Sequence, residues 1–144
     1  MNIACQNPTL VGFKALDNRA NTVVVSNNFN FGLGLDGGGN KIGDYILEIL
    51  NVNIDGSAGA LKYKTTTTWN NAGGAGGGGK LIPYGVRPDI FSLGSTSTTQ
   101  NNPVAFTTAS YDLAATATIA PKNTLDANSD ISLDGAATVE LIYL

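Results

Sequence analysis

The sequence contains no histidine, and its 144 residues include a single cysteine, Cys5. Histidine is the side chain most often used as a general base near neutral pH and is the commonest metal ligand, so its absence argues against both kinds of site. One cysteine excludes an internal disulfide and a zinc site built from several thiolates. We therefore predict no metal and no cofactor. We expect Cys5 to be a small buried residue or one half of a bridge to a residue outside this chain.

Charge is also scarce. Charged residues make up 13% of the chain, about half of the roughly 25% usual in globular proteins. The net charge is −3 and no basic cluster is present, so nucleic acid is not expected as a partner. No apolar run is long enough to predict a membrane span. The first five residues lack the charged and apolar regions of a signal peptide, so none is predicted in this chain.

What the sequence does contain is a hydrophobic period of two, which is typical of half-buried strands. It predicts strands over residues 9–16, 22–25, 44–54, 61–65, 104–108, 111–119 and 137–144. Turn signals recur about every 8–12 residues, and no helix of useful length is predicted. The pattern predicts an all-β chain, a β-sandwich that forms one domain over residues 1–144.

Two of these strands carry expectations about their faces. In the strand 44–54 we expect Ile46, Leu50, Val52 and Ile54 to share one face, with Glu48 as the exception. Tyr45, Leu47 and Ile49 take the other face, so we expect the first half of this strand to be covered on both sides. In the strand 61–65 we expect the apolar side chains to point inward and the lysines outward.

Two glycine-rich segments, 32–40 and 73–79, suggest phosphate-binding loops but lack the required context. The first is followed by no predicted helix, and in the second Lys80 is followed by Leu81 rather than by serine or threonine. Hairpin tips or slack loops are the better interpretation. Residues 126–130 place oxygen ligands at alternate positions but lack the glycine and glutamate of a calcium loop, which favours a solvated turn.

Trp69 lies beside Asn70 and Asn71, and such a group can form a glycan-binding surface. A tryptophan in the core of a sandwich is commoner, and the sequence favours that position. The alternative is a tip adhesin or a carbohydrate-binding module that uses these three residues and the 73–79 loop. A glycosidase-like enzyme is the remotest alternative, because no pair of carboxylates can be assigned to one cleft.

Three stretches in order carry a resemblance to a known family. They are "NIACQNPTLVGFKALDNRA", "FGLGLDGGGNKIGDYILEI" and "DISLDGAATVELIYL", which together extend over nearly the whole chain. The sequence resembles fimbrial subunits of the chaperone–usher class, in a branch catalogued mostly as a domain of unknown function. Each motif is modest alone, and their order and spacing give the resemblance its specificity.

The resemblance implies an immunoglobulin-like, Greek-key, pilin-type β-sandwich that lacks one edge strand. It implies a non-enzymatic subunit of an extracellular, cell-surface fimbrium that reaches the surface through the periplasm. Its partners would be neighbouring fimbrial subunits, a periplasmic chaperone and an outer-membrane usher. The missing strand would be supplied by donor-strand complementation, a form of β-augmentation.

The groove that receives the donor strand would lie beside the C-terminal strand, lined by Val139, Leu141, Ile142 and Tyr143. Val139, Leu141 and Tyr143 are expected to point into the core, so that Leu141→Asp or Tyr143→Ser should prevent soluble accumulation. Family members normally begin with a signal peptide, a donor extension and a strand whose cysteine bridges to the one matched by Cys5. The sequence shows none of these three features before Cys5, so we expect this chain to accept a strand rather than to donate one.

Overall fold

A computed structural model describes residues 1–73, 77–128 and 130–144. Strands hold 51% of the residues, and the described part of the chain contains no α-helix, so the all-β prediction is confirmed. The ten strands are β1 (Asn2–Thr9), β2 (Val11–Asp17), β3 (Phe31–Gly32), β4 (Gly43–Ile54), β5 (Ser57–Lys64), β6 (Asn70–Asn71), β7 (Gly79–Lys80), β8 (Ile90–Ser95), β9 (Phe106–Ile119) and β10 (Ala137–Tyr143).

The strands follow one antiparallel path, in the order β1-β9-β4-β5-β8-β2-β10. The path bends at the β4–β5 hairpin, where only residues 53–54 pair with residues 57–58. Asp55 and Gly56 both have positive φ, 47° and 80°, as a tight hairpin turn requires. The bend separates two layers. One contains β1, β9 and β4 with the short β3 and β7, and the other contains β5, β8, β2 and β10 with β6. The architecture therefore has sandwich and barrel-like character.

One hydrophobic cluster fills the space between the layers. At its centre the Phe13 ring stacks on both Phe91 and Tyr111, with centroids 5.9 Å apart in each pair. Large aromatic side chains bury the most apolar surface per residue, so this stack is a main source of the core's stability.

The predicted strand at residues 22–25 is wrong. The chain instead forms a 3-10 turn over Ala20–Thr22, and Val24 and Val25 lie exposed after it. Their backbone N–H groups donate to the carboxylate of Asp44, at 2.7 and 2.8 Å. Because a side chain satisfies these donors, the β-branched run does not need a strand ladder.

The strand predicted over residues 44–54 exists, and Tyr45, Leu47 and Ile49 share one face as expected. The predicted common face of Ile46, Leu50, Val52 and Ile54 does not continue along the whole strand. Tyr45, Leu47 and Ile49 point into the core. The register of β4 against β9 shifts between Leu50 and Asn53, and Asn51 has φ of 52°. This bulge moves the alternation by one residue, so that Val52 is buried as well. Glu48 lies on the outer face with Ile46 and Leu50, so it does not interrupt the core.

The expectation that the lysines of β5 point outward into solvent is wrong for Lys62, which is 0% exposed. Its ammonium group donates to the side-chain oxygen of Asn71 and to the backbone oxygen of Gln100, the latter at 2.8 Å. The β6 strand and the loop near residue 100 cover this face of β5. A period of two gives the face of a strand, but it does not show whether another segment covers that face.

Two of the longer strands, β1 and β8, were not predicted from the pattern, and neither were the two-residue strands β3, β6 and β7. Two of the predicted strands belong to a single strand of the structure. β8 was missed although Phe91 and Leu93 alternate with Ser92 and Gly94, because the alternation is short. Ser92 is itself buried and donates to the backbone oxygen of Val11 at 2.7 Å. β1 was missed because its alternation is weak. The predicted strands 104–108 and 111–119 are both part of β9, which pairs with β4 over ten residue pairs.

The first glycine-rich segment is a hairpin tip, as predicted. Leu35 pairs with Lys41, and the Asp36 carboxylate accepts hydrogen bonds from the backbone of Gly38 and Asn40. Of the second segment, residues 74–76 lie outside the described residues, so the prediction for that loop stays a prediction.

Candidate functional site: an open groove between β9 and β10

The outer edges of β10 and of part of β9 have no partner in the described part of the chain, and the outer edge of β1 is likewise unpaired there. β10 pairs with β2 along its whole length, from Ala137 opposite Asp17 to Tyr143 opposite Val11, and its other edge pairs with nothing described. β9 pairs with β4 on one side. On its other side β1 covers it only as far as Tyr111, whose N–H donates to the backbone oxygen of Met1 at 3.0 Å. The outer edge of β9 is therefore open from Asp112 to Ile119.

An apolar groove lies between the open edges of β9 and β10. Its wide section has a volume of about 400 Å³. It is lined by Leu33, Tyr45, Leu47, Leu113, Ala115, Ala117, Leu133, Gly135, Ala137 and Val139. A narrower section of about 150 Å³ lies between Ile3–Cys5 of β1 and Leu141–Tyr143 of β10. The groove is narrower there because β1 already occupies the edge of β9 at that level.

The residues along the groove face the core but are open to solvent. Leu141 is paired with Phe13, and Tyr143 with Val11. Directly opposite residues of an antiparallel pair share a face, and Phe13 and Val11 are buried in the core. Yet Leu141 is 53% exposed and Tyr143 is 87% exposed. A core-facing apolar surface that remains exposed is the strongest sign of an interaction site in this molecule.

The same holds on the β9 side of the groove. Ala115 and Ala117 lie opposite Leu47 and Tyr45 of β4, which are buried, but the two alanines are exposed. Burial raises the pKa of Tyr45 to about 12, with a smaller contribution from Asp17, so its phenol is neutral at physiological pH. The lining of the wide section therefore carries no charged side chain.

The structure separates the four predicted groove residues into two groups. Val139, Leu141 and Tyr143 share the core-facing side of β10, but only Val139 packs against the core in this chain. Ile142 points to the other face. There a Cβ on Gly12 would lie 3.1 Å from Ile142 and 2.9 Å from Leu144. A side chain at residue 12 would therefore displace these two flexible side chains, and Ile142 contributes only to the rim of the narrow section.

The start of β10 is held in place by the motifs that carry the resemblance. Arg19 forms a bidentate ion pair with Asp134, with Nε–Oδ2 at 2.9 Å and Nη2–Oδ1 at 3.0 Å. This pairing lowers the pKa of Asp134 and raises the pKa of Arg19. The Asp134 N–H also donates to the Leu33 oxygen at 3.0 Å.

The Asp17 carboxylate completes this arrangement. It accepts hydrogen bonds from the N–H groups of Arg19 and Gly32, at 2.8 and 2.9 Å. These contacts join β2, β3 and the segment before β10 at one end of the groove. The charged motif residues therefore have a structural role in positioning β10.

Asp55, Asp36 and Asp126 each accept hydrogen bonds within the protein. Asp55 accepts hydrogen bonds from Thr107 and Thr108, which lower its pKa. Asp36 accepts one from the Asp126 N–H at 2.6 Å, which is the main reason that its pKa is lowered. Asp126 in turn accepts from Asn128, as in a local turn; the predicted solvated turn also includes Ser129, which lies outside the described residues. Within the described residues, no group of three or more acidic or thiol side chains is arranged to hold a metal.

The predicted position of Trp69 in the core is wrong, since the ring is half-buried and outside the core cluster. The Lys64 ammonium lies 4.8 Å from the centroid of the Trp69 ring. Asn70 donates to the Thr68 oxygen and Asn71 to the Asn101 side chain. The three residues are neighbours, but their polar groups are largely used within the protein.

Cys5 is a half-buried free thiol that lines the narrow section of the groove. A bridge to a residue outside this chain stays a prediction.

Searches of protein-family models, of curated proteins and of solved structures found nothing that matches this chain. Among the described residues, no helix has the length and apolarity needed to cross a membrane. The fold and the groove are therefore the observations on which a function must be argued.

Proposed function

We propose that this chain is a structural, non-enzymatic subunit of a surface fimbrium of the chaperone–usher type, completed by a strand from another polypeptide. The observation that carries the proposal is the pair of open strand edges on either side of an uncharged, core-facing groove. In water such edges invite pairing with another chain. A groove of this shape fits β-augmentation, in which backbone hydrogen bonds give affinity and alternate side chains fill the pockets.

The strand order supports an immunoglobulin-like, Greek-key form of the sandwich. In an immunoglobulin-type sandwich, strands A, B, E and D form one sheet and strands C, F and G form the other. Here β1, β9 and β4 take the order of B, E and D, and β2 and β10 take the order of C and F. The hairpin formed by β5 and β8 is then an insertion between D and E. With this assignment, the positions of strands A and G lie beside β1 and β10, at the two sides of the groove.

The chemistry of the lining identifies the kind of segment that fits. Ala115, Ala117 and Ala137 leave space where other core positions of the molecule carry leucine or phenylalanine. The occupant must therefore present bulky apolar side chains at alternate positions and no charge on that face. The segment would come from a chaperone before assembly and from a neighbouring subunit in the fibre, with the usher as the assembly platform at the outer membrane.

The topology limits the direction of the occupant. Five antiparallel steps separate β9 from β10 along the path, so the two open edges run in opposite directions. A strand placed between them is antiparallel to one edge and parallel to the other. A strand that continues the line of β1 would be antiparallel to β9 and would take up the register that pairs Asn2 with Ser110.

This register allows a direct test. A segment fused ahead of Met1, long enough to reach the level of Ile119, can carry leucine or isoleucine at every second position. If these positions begin two residues before Met1, they lie opposite Leu113, Ala115 and Ala117. We expect the fusion either to raise the melting temperature of the monomer or to form concentration-dependent polymers by exchange between copies. Thermal unfolding and size-exclusion chromatography give the two readouts.

The matched control has the same composition, with the apolar positions shifted by one residue. A shift by one turns every bulky side chain away from the groove. The control fusion should melt like the unmodified chain and remain monomeric. Equal behaviour of the two fusions would overturn the proposal.

A further inference from the structure

A second cleft lies on the opposite side of the molecule from the groove. Residues of β4, β7, β5 and β8 line it, and its volume is about 350 Å³. Ile82 and Phe91, both buried in the core, contribute to its lining. Small-ligand sites typically have volumes of about 300–1,000 Å³, with an apolar floor and a few converging polar groups. The cleft is at the small end of that range.

One wall of the cleft is formed by Arg87 and Asp89, which are hydrogen-bonded to each other. Asp89 is fully buried and accepts hydrogen bonds from Arg87 Nε and from the Thr65 hydroxyl, both at 2.8 Å. The hydrogen bond to Asp89 is also the main reason that the pKa of Arg87 is raised. The guanidinium carbon lies 5.6 Å from the centroid of the Tyr63 ring, which lines the same cleft. Arg87 is thus held in one position before any ligand arrives.

The other wall carries two charged side chains that form no hydrogen bond or ion pair with a described residue. Glu48 and Lys80 are directly opposite each other in the β4–β7 pairing and therefore share a face. Among the described residues, the Glu48 carboxylate accepts no hydrogen bond and forms no ion pair. The Lys80 ammonium lies 5.6 Å from the centroid of the Phe29 ring, which also lines the cleft.

The balance of charges indicates the class of ligand. The cleft contains the carboxylates of Glu48 and Asp89 and the cations of Lys80 and Arg87, so its formal charges cancel. A strongly charged ligand would gain little there. A neutral sugar matches the lining, because its hydroxyl groups can bond to both a carboxylate and a guanidinium. Its C–H faces can pack on the rings of Tyr63 and Phe29.

We propose that this cleft binds a neutral saccharide of about one or two sugar rings. The site overlaps with the one that the sequence suggests only at the ends of the 73–79 loop, where Gly73 and Gly79 line the cleft, whereas Trp69, Asn70 and Asn71 do not. It lies away from β9 and β10, so filling the groove leaves it accessible. A fibre subunit with this cleft would carry a ligand site on every copy.

The test is saturation-transfer NMR and calorimetry on the full chain, with three panels of probes. They are neutral mono- and disaccharides, acidic sugars, and free amino acids. We expect binding of at least one neutral sugar, weaker by about tenfold or more in Tyr63→Ala and in Glu48→Gln, where tenfold corresponds to about 1.4 kcal/mol. Glu48 lies on the outer face of β4, so Glu48→Gln should keep the fold, which a melting curve verifies.

Trp69→Ala is the matched control and should bind like the wild type. The proposal is overturned if no neutral sugar binds, if only acidic sugars or amino acids bind, or if binding depends on Trp69 and not on Tyr63 and Glu48. These results do not depend on the groove, because the fusion experiment can succeed whether or not a sugar binds.

Discussion

β8 and β10 have similar apolar alternation, but the apolar side chains of β8 are buried and those of β10 are largely exposed. Phe91 and Leu93 of β8 are each 1% exposed, whereas Leu141 and Tyr143 of β10 are 53% and 87% exposed. β8 lies between β5 and β2, with the other layer packed over it, whereas β10 has a partner on one edge only. This difference in exposure shows that alternation determines which face of a strand is apolar, while the neighbouring strands determine whether that face is buried.

The largest expected effect comes from comparing equivalent truncations on these two strands. Phe91→Ala should destabilise the chain by about 3–5 kcal/mol, because it leaves a cavity in the closed core. Leu141→Ala should cost about 1 kcal/mol or less, because half of the side chain is already in water. Urea denaturation of both variants measures the contrast.

The same comparison revises an expectation from the sequence. Tyr143→Ser was expected to prevent soluble accumulation, but a residue this exposed should tolerate the change in the isolated chain. In the chain with the fused strand, Leu141→Ala should cost more than in the isolated chain, since the groove is then filled. An equal cost in both backgrounds would mean that Leu141 does not contact the occupant.

A smaller effect on stability is expected from replacing the buried Lys62. Burial lowers the pKa of Lys62, and no carboxylate within the described residues pairs with it. Replacing the buried charge by an apolar side chain of similar shape removes its desolvation cost. The two acceptors that lose the lysine donor belong to Asn71, which is half-buried, and to Gln100, which is exposed, so water can replace the lost hydrogen bonds. Lys62→Met should therefore raise the free energy of unfolding by about 1 kcal/mol at neutral pH.

The pH dependence of this gain has a defined sign. The unfolded chain binds the lysine proton more tightly than the folded chain, so the stability of the wild type rises as pH increases towards the ordinary value of 10.5. The advantage of Lys62→Met should be largest at neutral pH and should shrink towards pH 10. A gain that grows between pH 7 and pH 10 would contradict this account of Lys62.

The smallest expected effect is on the pH dependence of stability, through the ion pair between Arg19 and Asp134. The pKa of Asp134 is lowered from its ordinary 3.8 by Arg19. The stabilisation is present above this ordinary value and is lost as pH falls through the lower, folded-state value. Asp134→Asn should therefore make the stability less dependent on pH in the acid range, as measured by melting temperature between pH 5 and pH 2.

Asp130→Asn is the matched control for Asp134, because Asp130 accepts no hydrogen bond from a described residue. It should retain the acid sensitivity of the wild type. If the two variants behave alike, the Arg19–Asp134 pair does not stabilise the start of β10.

The groove could be located in part from the sequence. The alternation of Val139, Leu141 and Tyr143 predicted their common face, and the resemblance placed an acceptor site beside this strand. The other wall, formed by Leu113, Ala115 and Ala117, was recognised only as a strand. A pattern of period two contains no information about which distant strand lies opposite, because pairing is decided by contacts between residues far apart in the sequence.

Most of the cleft on the opposite side was not predicted. Its residues come from segments separated by up to 62 positions, from Phe29 to Phe91, and only Gly73 and Gly79 belong to a segment that the sequence had singled out. The sequence did offer one signal, the single acidic residue Glu48 in an otherwise apolar strand. It was taken as an exception in a core face, because the bulge at Asn51 cannot be seen in the alternation.

By itself, the sequence determined the chemistry that this protein lacks and the extended backbone that it adopts, since composition and local periodicity act over a few residues. Only the tertiary structure decided that Lys62 is buried, that Trp69 is not in the core and that the core-facing side of β10 is open. The physical reason is that burial depends on which segments meet in space. These contacts are determined by the packing of the whole chain rather than by the local sequence of any one strand.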